Sequence, residues 1–108
     1  MSRDRVVLRN DHFGDDIRRL EAYLDDEGNL RLDGHDLGPG TAMVSDDGEY
    51  EWFETIAAAD LPRLVELLGG TPGEDILDLL TRRYTGAAAG EFTRILYNSR
   101  IPIKRMTW

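Results

Sequence analysis

The spacing of apolar residues changes halfway along the chain, from a period of two to a period near 3.6, and this change limits the available folds. In residues 17–25, apolar and polar side chains alternate, which is typical of a half-buried strand. Residues 25–29 supply turn-forming side chains and the alternation then resumes, so residues 17–33 predict a β-hairpin. The aromatic and β-branched content of residues 49–56 predicts a further strand, and the short apolar run 6–8 predicts a first one.

Helical spacing follows in the second half of the chain. Asp60 is placed to cap a helix that has Pro62 in its first turn, and apolar residues follow at intervals of three and four. Thr71 and Glu74 have the spacing of a capping box, which predicts a second helix with Pro72 at its first helical position.

A shorter third helix is predicted over residues 88–96, and residues 101–108 predict a terminal strand that Pro102 places at a sheet edge. Residues 33–41 are rich in Gly, Pro and Asp, which predicts irregular structure. The order of elements predicts an α+β fold, an antiparallel sheet of about four to five strands with about three helices packed on one face. A length of 108 residues fits a single domain, residues 1–108.

The predicted core joins one face of the sheet to the apolar stripes of the first two helices. Its residues are Leu20, Ala22 and Leu24 on the sheet and Leu64, Leu68, Ile76, Leu77 and Leu80 on the helices.

The net charge of the chain is −8, from 13 basic and 21 acidic residues. Twelve of the acids lie in residues 21–60 with only one base, Arg31, which gives that segment a charge of −11. This sign argues against nucleic acid and anionic membranes as partners. The absence of cysteine excludes disulfides and zinc sites built on sulfur. No long apolar segment and no signal-peptide pattern is visible, so a cytoplasmic location is expected.

Residues with catalytic or metal-binding chemistry form no convincing pattern. His12 and His35 lie beside acids and could belong to an oxygen-rich metal site, but solvated loop residues are the favoured interpretation, and no metal or cofactor is predicted. A glycosidase needs two carboxylates on either side of the bond that it cleaves, and one of these could come from Glu49, Glu51 or Glu54. The sequence indicates no second carboxylate from another segment. The sequence therefore predicts no catalytic residue and a protein that is not an enzyme.

The acidic segment is interleaved with aromatic residues, a combination suited to binding a basic protein. The alternative is an acidic protein whose aromatic residues all lie in the core. The predicted partner-binding residues are Asp46, Asp47, Glu49, Tyr50, Glu51 and Trp52.

The segments GHDLG, EYEWFETI, LPRLVELLGG and DILDLLTRRY and the terminal IP…W carry a family resemblance. Over residues 17–108 the chain resembles small acidic immunity-type proteins of bacterial, often actinobacterial, polymorphic toxin systems, many of which have no assigned function. The resemblance implies a non-enzymatic cytoplasmic protein that neutralises one cognate toxin by binding it. The resemblance carries over no catalytic residue. The acidic charge favours a basic toxin domain, which this protein would occlude. The alternative is a stand-alone accessory or regulatory domain that binds another protein or a small ligand.

Overall fold

The computed structural model describes residues 5–13, 16–37 and 49–107. These described residues form a five-stranded antiparallel sheet in which each strand pairs with its neighbours in sequence, and three α-helices lie between the last two strands. The α+β fold predicted from the sequence is confirmed. The elements are β1 (Val6–Phe13), β2 (Asp16–Leu24), β3 (Leu30–Leu37), β4 (Glu49–Ile56), α1 (Leu61–Leu67), α2 (Ile76–Arg83), α3 (Ala89–Asn98) and β5 (Lys104–Thr107).

The strands match the predicted hairpin and the predicted strand 49–56, but two of them are longer than expected. Strand β1 continues to Phe13, with a bulge at Leu8 that interrupts its register with β2. Strand β3 continues to Leu37, so the prediction of irregular structure is wrong for residues 33–37, while residues 38–41 lie outside the described part. The glycine in this stretch, Gly34, pairs with Trp52 of β4, and its missing side chain leaves room for the indole.

Helix α2 begins later than predicted. The Thr71 amide donates to the Glu74 carboxylate at 2.9 Å, but this contact closes a separate turn, and Gly73 in that turn has a φ of +83°. Asp75 is the actual cap, because its carboxylate accepts from the amides of Leu77 and Asp78. The prediction that Pro72 opens this helix is therefore wrong.

The helices cover one face of the sheet and enclose a single apolar core. Most of the predicted core is buried, but Leu77 is only partly buried and Leu24 packs at the margin. Leu79 takes the place predicted for Leu77, because the stripe of α2 runs through Ile76, Leu79 and Leu80. The fully or nearly fully buried apolar residues include Leu8, Leu20, Ala22, Leu30, Leu32, Ile56, Leu64, Leu68, Phe92 and Leu96.

Among the described strands, β5 pairs only with β4 and forms one edge of the sheet, as predicted. The strand begins at Lys104 rather than at Ile101, so Pro102 lies outside it. Helix α3 follows the predicted third helix but runs on to Asn98. In the part of the chain that the structure describes, no helix combines the length and apolarity needed to cross a bilayer.

Candidate functional site

The predicted site residues fall on both faces of the sheet or outside the described part. Asp46 and Asp47 lie outside it, and for Glu49 and Tyr50 only the backbone in β4 is described. Glu51 pairs with His35 on the face away from the helices, whereas Trp52 pairs with Gly34 on the helix side. Because neighbouring strand residues point to opposite faces, Glu51 and Trp52 belong to two different surfaces.

The first surface is the sheet face that the helices leave uncovered, here called the open sheet face. It includes Val7, Arg19, Glu21, Tyr23, Arg31, Asp33, His35, Glu51, Phe53, Lys104 and Met106, to which Arg5 is added from the residue before β1.

Acids in the middle of the open sheet face are paired with arginines. The Arg5 guanidinium donates to Glu21 at 2.9 Å and also to Asp33, and it lies 4.3 Å from the centre of the Tyr23 ring. Arg19 donates to the other Glu21 oxygen at 2.6 Å. Burial raises the pKa of Glu21, but hydrogen bonds from Arg5 and Arg19 outweigh it and hold the pKa below its ordinary value.

Apolar side chains lie at both edges of the same face. On β1, Val7 is 41% exposed, and on β5, Met106 is 57% exposed. Met106 pairs directly with Phe53, so a ring and a thioether lie side by side next to Glu51 on the same strand. This edge offers an apolar contact beside a negative charge.

The acids of residues 21–60 do not gather on one surface in the described part of the chain. Glu54 is buried at 2% exposure on the helix side, and Asp36 also lies on that side. Asp25 accepts from the amides of Glu27 and Asn29 in the β2–β3 turn. Several acids of the segment therefore serve the fold.

The second surface is a cleft of about 280 Å³ on the helix side of the sheet, beside α3. We call it the arginine cleft, and its walls include Arg9, Arg18, Asp36, Trp52, Tyr97 and Arg105. Each of the five strands supplies one of these residues, and α3 supplies Tyr97. The Trp52 ring lies over Gly34, where a Cβ would fall 2.0 Å from Cε2 of the indole. The Arg105 guanidinium lies 5.7 Å from the centre of the Trp52 ring.

Beside this cleft, the carboxylate of Glu54 is held by Tyr97. The Tyr97 hydroxyl lies 2.8 and 2.9 Å from the two Glu54 oxygens, and Arg105 Nε is 3.9 Å from the carboxylate. Burial and the neighbouring Glu54 carboxylate raise the pKa of Tyr97 to about 12. The sequence presents Glu54 as one of three glutamates in a predicted strand. Its alternation with Trp52 and Ile56, which share its side of the strand, is the signal that marks it as inward-facing.

The two histidines lie in strands, so their interpretation as loop residues is wrong. His12 is exposed on β1, and His35 is partly buried on β3. Within residues 5–13, 16–37 and 49–107, no three His, Cys, Asp or Glu side chains come together as metal ligands would.

Comparisons with known proteins identify no relative of this chain. The sequence matches no protein-family model, and the searches of curated proteins and of solved structures gave no significant match. The geometry of the open sheet face and of the arginine cleft is therefore the basis for functional proposals.

Proposed function

We propose that this protein is a non-enzymatic binding domain that neutralises a basic partner protein in the cytoplasm, in the manner of an immunity protein, through its open sheet face. The observation that carries the proposal is the one-sided covering of the sheet. Helices pack on one face, while the other face carries exposed apolar side chains at its edges and ordered charges between them.

Long-range attraction comes from the net charge. A net charge of −8 attracts a basic partner to the protein at long range, although several acids are engaged within the fold. This attraction is weakened by salt, because the Debye length falls from about 10 Å at 0.1 M to about 3 Å at 1 M ionic strength. The described side chains of the open sheet face are nearly balanced in charge, with Arg5, Arg19, Arg31 and Lys104 against Glu21, Asp33 and Glu51.

Short-range contact is centred on the β4–β5 edge of the open sheet face. Phe53 and Met106 form an apolar anchor, and Glu51 lies two residues before Phe53 on the same strand and the same face. Apolar anchors next to charges are the usual hot spots of protein interfaces, because the ring and thioether lose water while the charge selects the partner. Glu51 thus keeps the role predicted from the sequence, whereas Trp52 lies on the other surface.

The first experiment tests neutralisation. The product of the gene adjacent to this one is expressed in a bacterial host, alone and together with this protein, and growth is followed. We expect growth to stop with the neighbour alone and to recover with both. A neighbour that is harmless, or whose toxicity persists when this protein is present at equal amount, would refute the proposed function.

The second experiment tests which surface binds, using two pairs of variants. Met106→Glu is matched by Leu67→Glu, a change at a residue that is 42% exposed on α1. Glu51→Lys is matched by Glu66→Lys, an exposed residue of α1, so both alter the net charge equally.

Association and dissociation rates with the neighbouring product are measured for all four variants at two salt concentrations. Both lysine variants should slow association, since both reduce the net charge, but only Glu51→Lys and Met106→Glu should speed dissociation, by about tenfold or more. Equal dissociation rates within each pair would place the interface elsewhere on the protein.

A further inference from the structure

A concentration of positive charge in the arginine cleft contrasts with the acidity of the whole protein. Arg9 on β1, Arg18 on β2 and Arg105 on β5 line this cleft, and the acid on its wall is Asp36. The strands place these guanidinium groups on one face of the sheet, since Arg9 pairs with Leu20 and Arg105 pairs with Glu54, both on the helix side. Repulsion among the three guanidinium groups is offset by carboxylates that lie close to them.

Carboxylates next to the cleft hold two of the three arginines. Arg9 forms an ion pair with Asp11, and Arg105 Nε lies 3.9 Å from the buried Glu54. Arg18 is exposed and forms no ion pair with any side chain that the structure describes. Two guanidinium groups are thus positioned in advance, and the third is able to donate to an anion that enters.

The cleft also has aromatic walls. The indole of Trp52 lies flat over Gly34, and the ring of Tyr97 remains half exposed while its hydroxyl is engaged by Glu54. These rings offer apolar surface but no additional charge. A volume of about 280 Å³ is at the lower end of the range for small-molecule sites, large enough for one ring and one charged group.

We propose that the arginine cleft binds a small organic anion, a carboxylate or phosphate group attached to a flat ring, with the anion on Arg18 and the ring against Trp52. Guanidinium groups match both oxyanions by paired hydrogen bonds. This site is independent of the proposed neutralising function, because it lies on the opposite face of the sheet from Phe53 and Met106.

The carboxylate of Asp36 allows anion binding to be distinguished from a purely structural role of the cleft. This carboxylate lies in the cleft near Arg18 and Arg9 and competes with the ligand for them. Burial raises the pKa of Asp36, and the two arginines oppose that rise. Removing this charge should therefore strengthen anion binding, whereas a purely structural role of Asp36 would leave binding unchanged or weaken it.

The experiment is calorimetric titration of the purified protein with phenyl phosphate and benzoate. Inorganic phosphate serves as the probe with charge but no ring, and benzamide as the ring without charge. We expect at least one aryl anion to bind more tightly than inorganic phosphate, and benzamide not to bind. No binding of either aryl anion at millimolar concentration would overturn the proposal, as would equal binding of phenyl phosphate and inorganic phosphate.

Three variants locate the site. Arg18→Gln should weaken binding of the aryl anion by about ten- to a hundredfold, the usual effect of losing charge-assisted hydrogen bonds. Asp36→Asn should strengthen it by severalfold, and Arg63→Gln, a change of an exposed arginine on α1, should leave it unchanged. Equal weakening by Arg18→Gln and Arg63→Gln would show non-specific attraction and overturn the proposal, as would weaker binding in a folded Asp36→Asn variant. Thermal melts confirm that each variant is folded.

Discussion

Replacing Gly34 by alanine tests the close packing of β3 against Trp52. A Cβ built on Gly34 lies 2.0, 2.1 and 2.5 Å from three atoms of the indole, whereas ordinary contacts begin near 3.4 Å. The ring must therefore retreat by more than 1 Å or the two strands must separate. Gly34 does not have a positive φ, so the backbone itself accepts alanine, and the cost comes from the overlap alone.

The expected magnitude follows from overpacking. Forcing a side chain into a filled site typically costs about 1–3 kcal/mol of the free energy of unfolding. When Trp52 is replaced by alanine, the obstacle is gone, and alanine in a strand is about 0.5–1 kcal/mol more stable than glycine. Gly34→Ala should thus destabilise the protein when Trp52 is present and be neutral or stabilising in the Trp52→Ala background.

The assay is urea unfolding followed by far-ultraviolet circular dichroism, because fluorescence would change with the loss of Trp52. Four proteins complete a double-mutant cycle, namely the wild type, the two single variants and the double variant. The cycle should give a coupling of roughly 1.5 kcal/mol or more. If Gly34→Ala costs the same in both backgrounds, the indole does not lie on Gly34 and the description of this side of the sheet is wrong.

Three further predictions concern stability. Leu79→Ala should lower the free energy of unfolding by about 2–5 kcal/mol, measured by chemical unfolding, and Leu77→Ala should lower it less, because only Leu79 is fully buried. A larger loss for Leu77→Ala would mean that α2 turns a different face towards the sheet. Tyr97→Phe should cost about 1–3 kcal/mol, because the buried Glu54 carboxylate loses its donor. The pKa of Tyr97 is about 12 in the folded protein and about 10 in the unfolded chain, so the stability of the wild type should fall as pH rises through that interval. If the stability of Tyr97→Phe falls equally steeply with pH, this expectation is wrong. Asp75→Ala should lower stability by about 1 kcal/mol through loss of the α2 cap, and an unchanged melting temperature would argue against that cap.

The sequence predicts the regular elements of this fold because each has a local signal. The alternation of residues 17–33 and the β-branched content of residues 49–56 are properties of a single segment, and the structure confirms both strands. The start of α2 is less predictable, because Thr71 and Glu74 do form their hydrogen bond but Gly73 separates it from the helix. A capping pattern in the sequence predicts a turn. Whether a helix begins directly after that turn depends on the backbone angles of the residues that follow.

The candidate surfaces could be predicted only in part, because each depends on contacts between distant segments. Gly34 follows an aspartate and precedes a histidine, a pattern typical of a turn, and its place in a strand depends on Trp52 eighteen residues later. The arginine cleft requires five strands in register, which no single segment encodes. The net charge of residues 21–60 counts every acid equally. It therefore does not reveal that Glu54 is buried or that Asp25 accepts hydrogen bonds within a turn.

The assignment of the open sheet face as the binding surface can be tested directly by methyl NMR of this protein during titration with the product of the adjacent gene. Three exposed residues serve as reporters, with Val7 and Met106 on the open sheet face and Leu67 on α1. If the partner binds the open sheet face, the Met106 and Val7 methyl signals shift or broaden on binding, while the Leu67 signals stay unchanged. Perturbation of Leu67 with Met106 and Val7 unaffected would contradict this assignment and place the partner on the helices.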